Sequence, residues 1–280
     1  MEAPARKFPI MAALALAAAV AACTALALRA LDLRRPRALP SSFTFMTMGT
    51  ISQATFYGGA DAIGGAGIVK STFDEVERNL SVFSPTSLIS RLNANGAVVI
   101  GIDKSKPSSP SDFDFPFVVT SACLIAKETG GAFDPTVNPL MRLWGFRDGK
   151  PPAPPSEEAI AEALKRTGWN GIFTERLHGN EISVSLRKPG MELDLGGIAK
   201  GYAVDLAFER LRAAGHRDFM LNLGGNIRVS GKPEPGRDFW RVAIRDPGDP
   251  SKTTGETITL TNGQAVATSG SYERFIEIGG

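Results

Sequence analysis

Cysteine and histidine are scarce in this chain, whose 280 residues contain two of each. Cys23 and Cys123 cannot build a disulfide framework, and neither belongs to a Cys-x-x-Cys pair, which excludes a disulfide scaffold and a dithiol redox motif. His178 and His216 are too few for a histidine-rich metal site. No Ser-His or Cys-His arrangement stands out either, so the sequence suggests no activated nucleophile of its own.

Positive charge is also limited. No long basic stretch follows residue 40, and the formal net charge of the chain is +2. A nucleic-acid-binding face usually shows as a cluster of Lys and Arg, so we expect no nucleic-acid partner. Hydrophobic residues make up 43% of the chain and charged residues 21%, which is typical of a globular protein of one larger domain or two small ones.

The N-terminal segment has a composition of its own. Arg6 and Lys7 precede an uncharged run over residues 8–28. About 20 apolar residues span a bilayer, and a basic start before an apolar run is also the pattern of a signal peptide. Arginines lie on both sides of the run, so charge does not settle its orientation. We expect an exported, membrane-tethered protein facing the periplasm; a misassigned start codon is the alternative.

Two forms of tethering are open. The sequence VAAC, which ends at Cys23, resembles the box at which bacterial lipoproteins are cleaved and lipidated. Apolar residues continue to Leu28, which suits an uncleaved anchor better. Residues 1–28 are therefore predicted to be a signal peptide or membrane anchor, the basic, proline-containing residues 29–42 a linker, and residues 43–280 the folded domain.

The folded domain mixes helical and strand patterns. Apolar residues recur at helical spacing in 66–80, 112–130 and 199–213, and Gly215 suits the position just after the last of these helices. Ser156 is a suitable N-cap for a further helix. Alternating apolar and polar residues predict strands within 43–58, 181–187, 191–195, 219–231, 239–246 and 257–271. The combination predicts an α+β fold.

A glycine turn is the first candidate for a functional site. In LDLGGIAKGYAVD, Gly196 and Gly197 lie between an apolar strand and a helix, where unpaired N–H groups and the helix dipole favour an anion. Lys200, predicted in the first turn, opposes the dipole unless an anion lies in front of it. Asp194 projects from the strand end into the same space. A plain glycine turn with a solvated lysine is the alternative.

Two other stretches are candidates for a binding site, one with polar and aromatic side chains and one with a pair of glycines. Asp134 precedes a predicted turn at Asn138 and the aromatic residues Trp144 and Phe146, a combination that suits a flat heterocycle, although such aromatics are also common in cores. The glycine pair of NLGGNIRVSG (222–231) is predicted to lie within a strand, where close approach of backbone or ligand would explain it.

Six motifs occur in a fixed order: TMGT, SVFSPTSLISRLN, TGGAFDPTVNPLMRLWGF, LDLGGIAKGYAVD, NLGGNI and AVATSGSYER. Together they resemble the ApbE-type FAD:protein FMN transferases over about residues 43–280. The resemblance implies a two-layer α+β fold and the binding of FAD with Mg²⁺. It also implies export, often as a lipoprotein, in agreement with the N-terminal segment.

The resemblance also implies residue roles. Lys200 and Asp194 are implied as catalytic, and the backbone carbonyl of Gly197 as a metal ligand. The residues implied to contact FAD are Met48, Phe83, Ala132, Phe133, Asp134, Asp194, Lys200, Thr268 and Ser269.

The implied reaction cleaves the FAD pyrophosphate and attaches FMN by a phosphoester bond to a threonine of a target protein, typically a redox-pump subunit, with release of AMP. Because the acceptor supplies the hydroxyl, no nucleophile from this chain is required. Charge neutralisation by Lys200 and Mg²⁺ is the catalytic contribution that such a reaction needs most.

One departure from the family pattern leaves two interpretations open. Family members continue beyond the ATSG motif into a segment with Asp and Thr metal ligands, whereas this sequence stops at Gly280. We expect either a fragment of an active enzyme or a membrane-tethered FAD-binding protein with impaired transfer. The fragment is favoured because an unfinished apolar sheet edge promotes aggregation. A Rossmann dehydrogenase is disfavoured by the lack of a G-x-G-x-x-G fingerprint, and a purely structural lipoprotein by the repeated glycine-polar turns.

Overall fold

A computed structural model describes residues 22–24, 39–58, 61–101, 113–147, 154–234, 236–249 and 251–270. The strands are β1 (Ser41–Thr47), β2 (Thr50–Phe56), β3 (Ala97–Gly101), β4 (Ile172–Arg176), β5 (Glu181–Leu186), β6 (Phe219–Leu223), β7 (Asn226–Ser230), β8 (Trp240–Arg245), β9 (Thr253–Leu260) and β10 (Ala265–Ala267). The helices are α1 (Ala62–Leu80), α2 (Leu88–Asn95), α3 (Phe115–Glu128), α4 (Asn138–Leu143), α5 (Glu157–Leu164) and α6 (Gly196–Ala213). The α+β prediction is confirmed.

The largest sheet has the strand order β1-β2-β6-β7-β10, and every pairing in it is antiparallel. Helices α1 and α6 pack on one face and bury a continuous core with the inward side chains of the strands. Val69, Phe73 and Val76 of α1 repeat at helical spacing and are fully buried. This layer of helices on a sheet is the predicted two-layer arrangement.

The opposite face of the sheet carries a second apolar cluster. Ile227 and Val229 of β7 point away from the helices and pack with Trp240 and Leu260 of the β8-β9 ribbon. A separate sheet of order β3-β5-β4 lies beside α2 and α3. The described residues therefore surround the central sheet unevenly, with helices on one face and a two-stranded ribbon on part of the other.

Several local predictions are confirmed. Ser156 caps α5, since its side chain accepts a hydrogen bond from the N–H of Ala159. Gly215 follows the end of α6 with a φ of 90°, the left-handed conformation expected after a helix. The helix predicted at 112–130 runs from Phe115 to Glu128, and the one predicted at 66–80 begins four residues earlier, at Ala62.

Other local predictions are wrong. The stretches 43–58 and 219–231 were each predicted as one strand. Each forms a hairpin, of β1 and β2 in the first and of β6 and β7 in the second. Residues 191–195 form no named strand; they contribute one isolated bridge, between Glu192 and Val137. Asn138 begins α4 and is followed by Pro139 at a position where proline costs a helix nothing, so the predicted turn is a helix start.

The predicted leader and linker, residues 1–28 and 29–42, lie mostly outside the described residues. Cys23 is exposed, and β1 already begins at Ser41, just inside the predicted linker. Among the residues that the structure describes, no helix has the length and apolarity needed to cross a membrane.

Candidate functional site

Three of the six motifs meet at one edge of the large sheet, the edge formed by the ends of its strands and not by an outer strand. Because β2 pairs with β6, the turn after β1 and the turn after β6 lie side by side, and the N–H of Gly224 donates to the carbonyl of Ile51 at 3.1 Å. The end of β10 joins them, since the N–H of Thr268 donates to the carbonyl of Gly225 at 3.1 Å. The segments TMGT, NLGGN and ATSG therefore lie side by side and are joined by backbone hydrogen bonds.

The TMGT turn holds Met48 in an unusual conformation. Met48 has a φ of 49° and is the one non-glycine residue with positive φ in the described part of the chain. The carboxylate of Glu77, near the end of α1, accepts hydrogen bonds from the N–H of Met48 at 3.0 Å and from Oγ1 of Thr47 at 3.1 Å. Glu77 therefore stabilises a turn that the methionine side chain alone disfavours.

The glycine pair of NLGGN is explained by its turn. Gly224 and Gly225 have φ values of 55° and 84°, as a two-residue hairpin requires. A Cβ at Gly225 would lie 2.6 Å from Oγ1 of Thr268, and one at Gly224 would lie 2.7 Å from Oγ1 of Thr50. The prediction that the pair lies within a strand is wrong: the two glycines form the turn itself, and the atoms that approach them most closely belong to threonine side chains instead of to backbone.

Helix α6 begins at the glycines of LDLGGIAKG instead of after them. Leu195 is the N-cap residue and gives no side-chain cap, whereas Oδ1 of Asp194 accepts from the N–H of Gly196 at 2.8 Å. The ring of Phe133 packs on Gly197, where an added Cβ would lie 3.0 Å from Cε2 of the ring. Asp194 thus places its own negative charge at the positive end of the helix.

Lys200 is the fifth residue of α6 and lies in its second turn, so the first-turn position predicted from the sequence is wrong. Its side chain is half-buried. Within the described residues no hydrogen-bond or ion-pair partner approaches it. A lysine in this position is available to an anion that comes to the start of the helix.

Arg147 connects two of the predicted site residues. Its side chain is only 8% exposed and forms an ion pair with Oδ2 of Asp194. The guanidinium also lies over the ring of Phe83, 5.1 Å from the ring centroid. Sequence reasoning missed Arg147; its position directly after the WGF stretch was the available signal.

A fully buried asparagine orients Arg147. Oδ1 of Asn138 accepts from Nε of Arg147 at 2.9 Å, and Nδ2 of Asn138 donates to Glu192 at 2.6 Å. Glu192 also accepts from Nε of Arg142 at 2.8 Å. Two arginines and two carboxylates are therefore joined through one amide, and their formal charges cancel.

The carboxylate of Asp134 accepts hydrogen bonds that hold two backbone segments together. Its Oδ1 accepts from the N–H and the hydroxyl of Thr136 at 2.8 and 2.6 Å, and its Oδ2 accepts from the N–H of Trp169 at 3.2 Å. Oγ1 of Thr136 in turn accepts from the N–H of Gly168. These bonds tie the loop before α4 to the segment after α5.

The remaining predicted residues lie at the surface. Ala132, Thr268 and Ser269 are exposed. Phe83 is 60% exposed and borders an open cavity of about 400 Å³. The cavity is lined by Asp74, Glu77, Arg78, Ser81, Phe83 and Ser84. An exposed aromatic ring beside a guanidinium and a cavity suits a flat ligand.

Cysteine chemistry and a preformed metal centre receive no support. Burial raises the pKa of the Cys123 thiol, and the negative charge of Asp134 adds to the effect, so Cys123 remains a neutral thiol at neutral pH. No group of three or more His, Cys, Asp and Glu side chains suited to a metal converges in the described ranges. The predicted role of the Gly197 carbonyl as a metal ligand stays a prediction.

Comparison with known proteins gives a consistent result. The model of the ApbE family matches residues 48–280. The FAD:protein FMN transferase of Haemophilus influenzae is 33% identical over 215 residues, which cover 76% of this chain and 59% of that protein. The enzyme of the same name from Rhodobacter capsulatus is 32% identical over 241 residues, covering 85% and 43%.

Solved structures agree with the fold. The ApbE protein of Thermotoga maritima superposes with a TM-score of 0.72 at 28% identity, covering 86% of this chain and 74% of that one. The flavin transferase ApbE of Vibrio cholerae gives 0.63 at 27% identity, covering 85% and 75%. The chain spans about half the length of the curated relatives it matches, between 43% and 59% for the first three.

Proposed function

Because this chain belongs to the ApbE family, we propose that it uses FAD as a substrate and transfers FMN to a threonine of an acceptor protein, with release of AMP. One observation carries the proposal: TMGT, NLGGN and ATSG meet at the ends of the sheet strands, and Phe133 of a fourth motif packs on Gly197 of a fifth at the start of α6. The relatives that carry this name are similar along most of the chain.

The start of α6 supports diphosphate binding. The first turn of a helix presents N–H groups and a partial positive charge to an anion. Lys200, half-buried and without a partner among the described residues, adds a full charge beside them. The carboxylate of Asp194 is held by Arg147, so its negative charge does not face the site uncompensated. This combination favours the pyrophosphate of a dinucleotide.

The proposed step is a phosphoryl transfer. The acceptor's threonine oxygen attacks the phosphorus on the FMN side, a P–O bond to that phosphorus forms, and the bond from it to the bridging oxygen breaks. AMP leaves with the bridging oxygen, and the hydroxyl proton passes to solvent or a base. Lys200 would reduce the negative charge on the phosphate oxygens as the leaving group departs.

Mg²⁺ dependence is part of the proposal, but no step above depends on the metal. Mg²⁺ prefers six oxygen ligands and usually keeps water and substrate phosphate among them. The described residues do not fit this need by themselves, because Gly197 contributes one carbonyl and the carboxylate of Asp194 is already paired. We expect activity to require added Mg²⁺, which titration after treatment with a chelator would test.

The partner and location are also proposed. A redox-pump subunit is the expected acceptor, by resemblance to the family. The uncharged run at residues 8–28, which follows two basic residues, supports export and tethering to the inner membrane by a lipid or an anchor. Retention of the protein in a membrane fraction, and its release when residues 1–28 are removed, would test the tethering.

The decisive experiment incubates the full chain with FAD, Mg²⁺ and a redox-pump subunit that bears the target threonine. We expect acid-stable flavin fluorescence on the acceptor and one AMP per flavin attached. An acceptor with Thr→Val at the target is the control and should stay unlabelled. FAD that stays bound without AMP release would contradict transfer and favour the alternative, a membrane-tethered FAD-binding protein.

A further inference from the structure

We propose that Arg147 is a positioning residue of the site. It fixes the carboxylate of Asp194 and the ring of Phe83 relative to each other, and Asn138 fixes Arg147. The inference rests on the proposed function, because it concerns the site that would hold FAD. It goes beyond the motif residues named so far, since Arg147 is not among the residues implied by the family resemblance.

Three contacts hold the guanidinium. One terminal nitrogen pairs with Asp194, Nε donates to the buried amide of Asn138, and Cζ lies over the ring of Phe83. The arginine side chain is 8% exposed and that of Asp194 is 13% exposed, so the pair is shielded from solvent. Because the pair is shielded and Nε of Arg147 is hydrogen-bonded to a buried amide, the guanidinium is held in place more firmly than in an exposed pair of long side chains.

The geometry requires arginine in particular. A planar guanidinium can donate in two directions within its plane and stack on an aromatic ring with its face. A lysine ammonium at the same place would keep the charge but could not make both hydrogen bonds and the ring contact together. Charge compensation alone therefore predicts rescue by lysine, whereas positioning predicts that lysine fails.

The position of Asp194 matters because of its two oxygens. Oδ2 pairs with Arg147, and Oδ1 accepts from the N–H of Gly196 at the start of α6. If Arg147 releases the carboxylate, Asp194 can turn towards the anion site and repel a diphosphate, and the N–H of Gly196 loses its acceptor. Arg147 thus controls both the charge and the hydrogen bonding at the helix start.

The test compares Arg147→Lys with Arg142→Met in the full chain. Arg142 is the matched control, because it belongs to the same network through Glu192 but contacts neither Asp194 nor Phe83. FAD affinity is measured by fluorescence titration, amide exchange at Gly196 by NMR, and folding by thermal unfolding. We expect Arg147→Lys to unfold as the wild type does, to bind FAD about tenfold more weakly and to exchange the Gly196 amide about tenfold faster. Arg142→Met should change neither the FAD affinity nor the exchange rate of the Gly196 amide.

A double-mutant cycle provides a second measurement if the lysine variant unfolds early. Arg147→Met is combined with Asp194→Asn, so that both charges are removed and neither is left buried alone. If Arg147 acts through Asp194, Arg147→Met should weaken FAD binding much less in the Asp194→Asn background than in the wild type. Equal losses in both backgrounds would overturn the inference.

The outcomes separate the inference from the proposed function. Wild-type FAD affinity in the lysine variant overturns the positioning role, and so does weaker FAD binding with unchanged exchange at Gly196. A wild-type chain that binds no FAD overturns the proposed function. In that case, the exchange rate at Gly196 still shows whether Arg147 holds Asp194.

Discussion

The two edges of the large sheet formed by opposite ends of its strands differ in chemistry, although α1 and α6 pack against both. The edge opposite the candidate site is closed by aromatic contacts: the ring of Phe56 lies 5.6 Å from that of His216 and 6.3 Å from that of Phe219. Phe208 of α6 completes the cluster, 5.5 Å from Phe219. These side chains are buried.

The edge at the candidate site is built from turns, hydroxyls and charges. Met48 and the glycines of the two hairpins have positive φ, and Lys200 and Asp194 stand at the start of α6. Aromatic packing stabilises a fold whatever binds to it, whereas strained backbone and half-buried charges cluster at functional sites. The comparison therefore predicts that substitutions at one edge change stability and those at the other change binding.

The largest effect is expected at the aromatic edge. Phe219→Ala removes a fully buried ring and should lower the free energy of unfolding by about 3–5 kcal/mol. Urea unfolding measures this loss, and Phe117→Ala, at a ring that is 58% exposed, is the control, with an expected loss below about 1 kcal/mol. FAD affinity of the protein that remains folded should be unchanged; a weaker affinity would mean that the two edges are coupled.

The second effect concerns Lys200. Lys200→Ala should lower the rate of FMN transfer about 10²–10³-fold, the usual cost of losing one group that stabilises transition-state charge, with little change in thermal unfolding. Lys165→Ala is the control, because Lys165, the residue that follows α5, is exposed and pairs with Glu162 of that helix. Transfer at the wild-type rate in Lys200→Ala would remove this lysine from the mechanism.

A third, smaller effect tests Asp134, which has a structural role in addition to its predicted contact with FAD. Asp134→Ala leaves three donors without their acceptor and should cost about 1–3 kcal/mol of stability. Thr136→Val is the matched variant, since it disturbs the same loop but keeps the carboxylate. If Asp134 contacts FAD, only Asp134→Ala should weaken the affinity measured by titration. Equal weakening in both variants would mean that the loop alone is responsible.

Local signals in the sequence were sufficient for most helices. Ser156 and Gly215 were correctly predicted as helix ends because a cap acts on its own neighbours. The hairpin at Gly224 was mistaken for one strand, since alternation continues on both sides of a two-residue turn. The start of α6 was placed too late because glycine is a poor helix former.

The motifs were sufficient to name residues of the candidate site, but they did not reveal the side chains that contact those residues. The six motifs contained Asp194 and Lys200, and the chain folds so that Asp194 stands at the start of the helix that carries Lys200. The partners that orient them could not be found from spacing. Arg147 meets Asp194 from 47 positions away, and Glu77 supports Met48 from 29 positions away. Such pairings depend on the tertiary fold, to which hydrophobic periodicity gives no direct access.

The smallest effect sharpens the comparison at a single turn. Asn tolerates positive φ better than Met, so Met48→Asn should raise the free energy of unfolding slightly, by at most about 1 kcal/mol, while it removes a side chain predicted to line the flavin site. Gly49→Ala is the contrasting variant: its φ of 68° disfavours alanine, so stability should fall by about 1 kcal/mol. If Met48→Asn gains stability and loses FAD affinity, strain at this edge is retained for binding. A loss of stability would instead show that Met48 is held in place by its packing against the core.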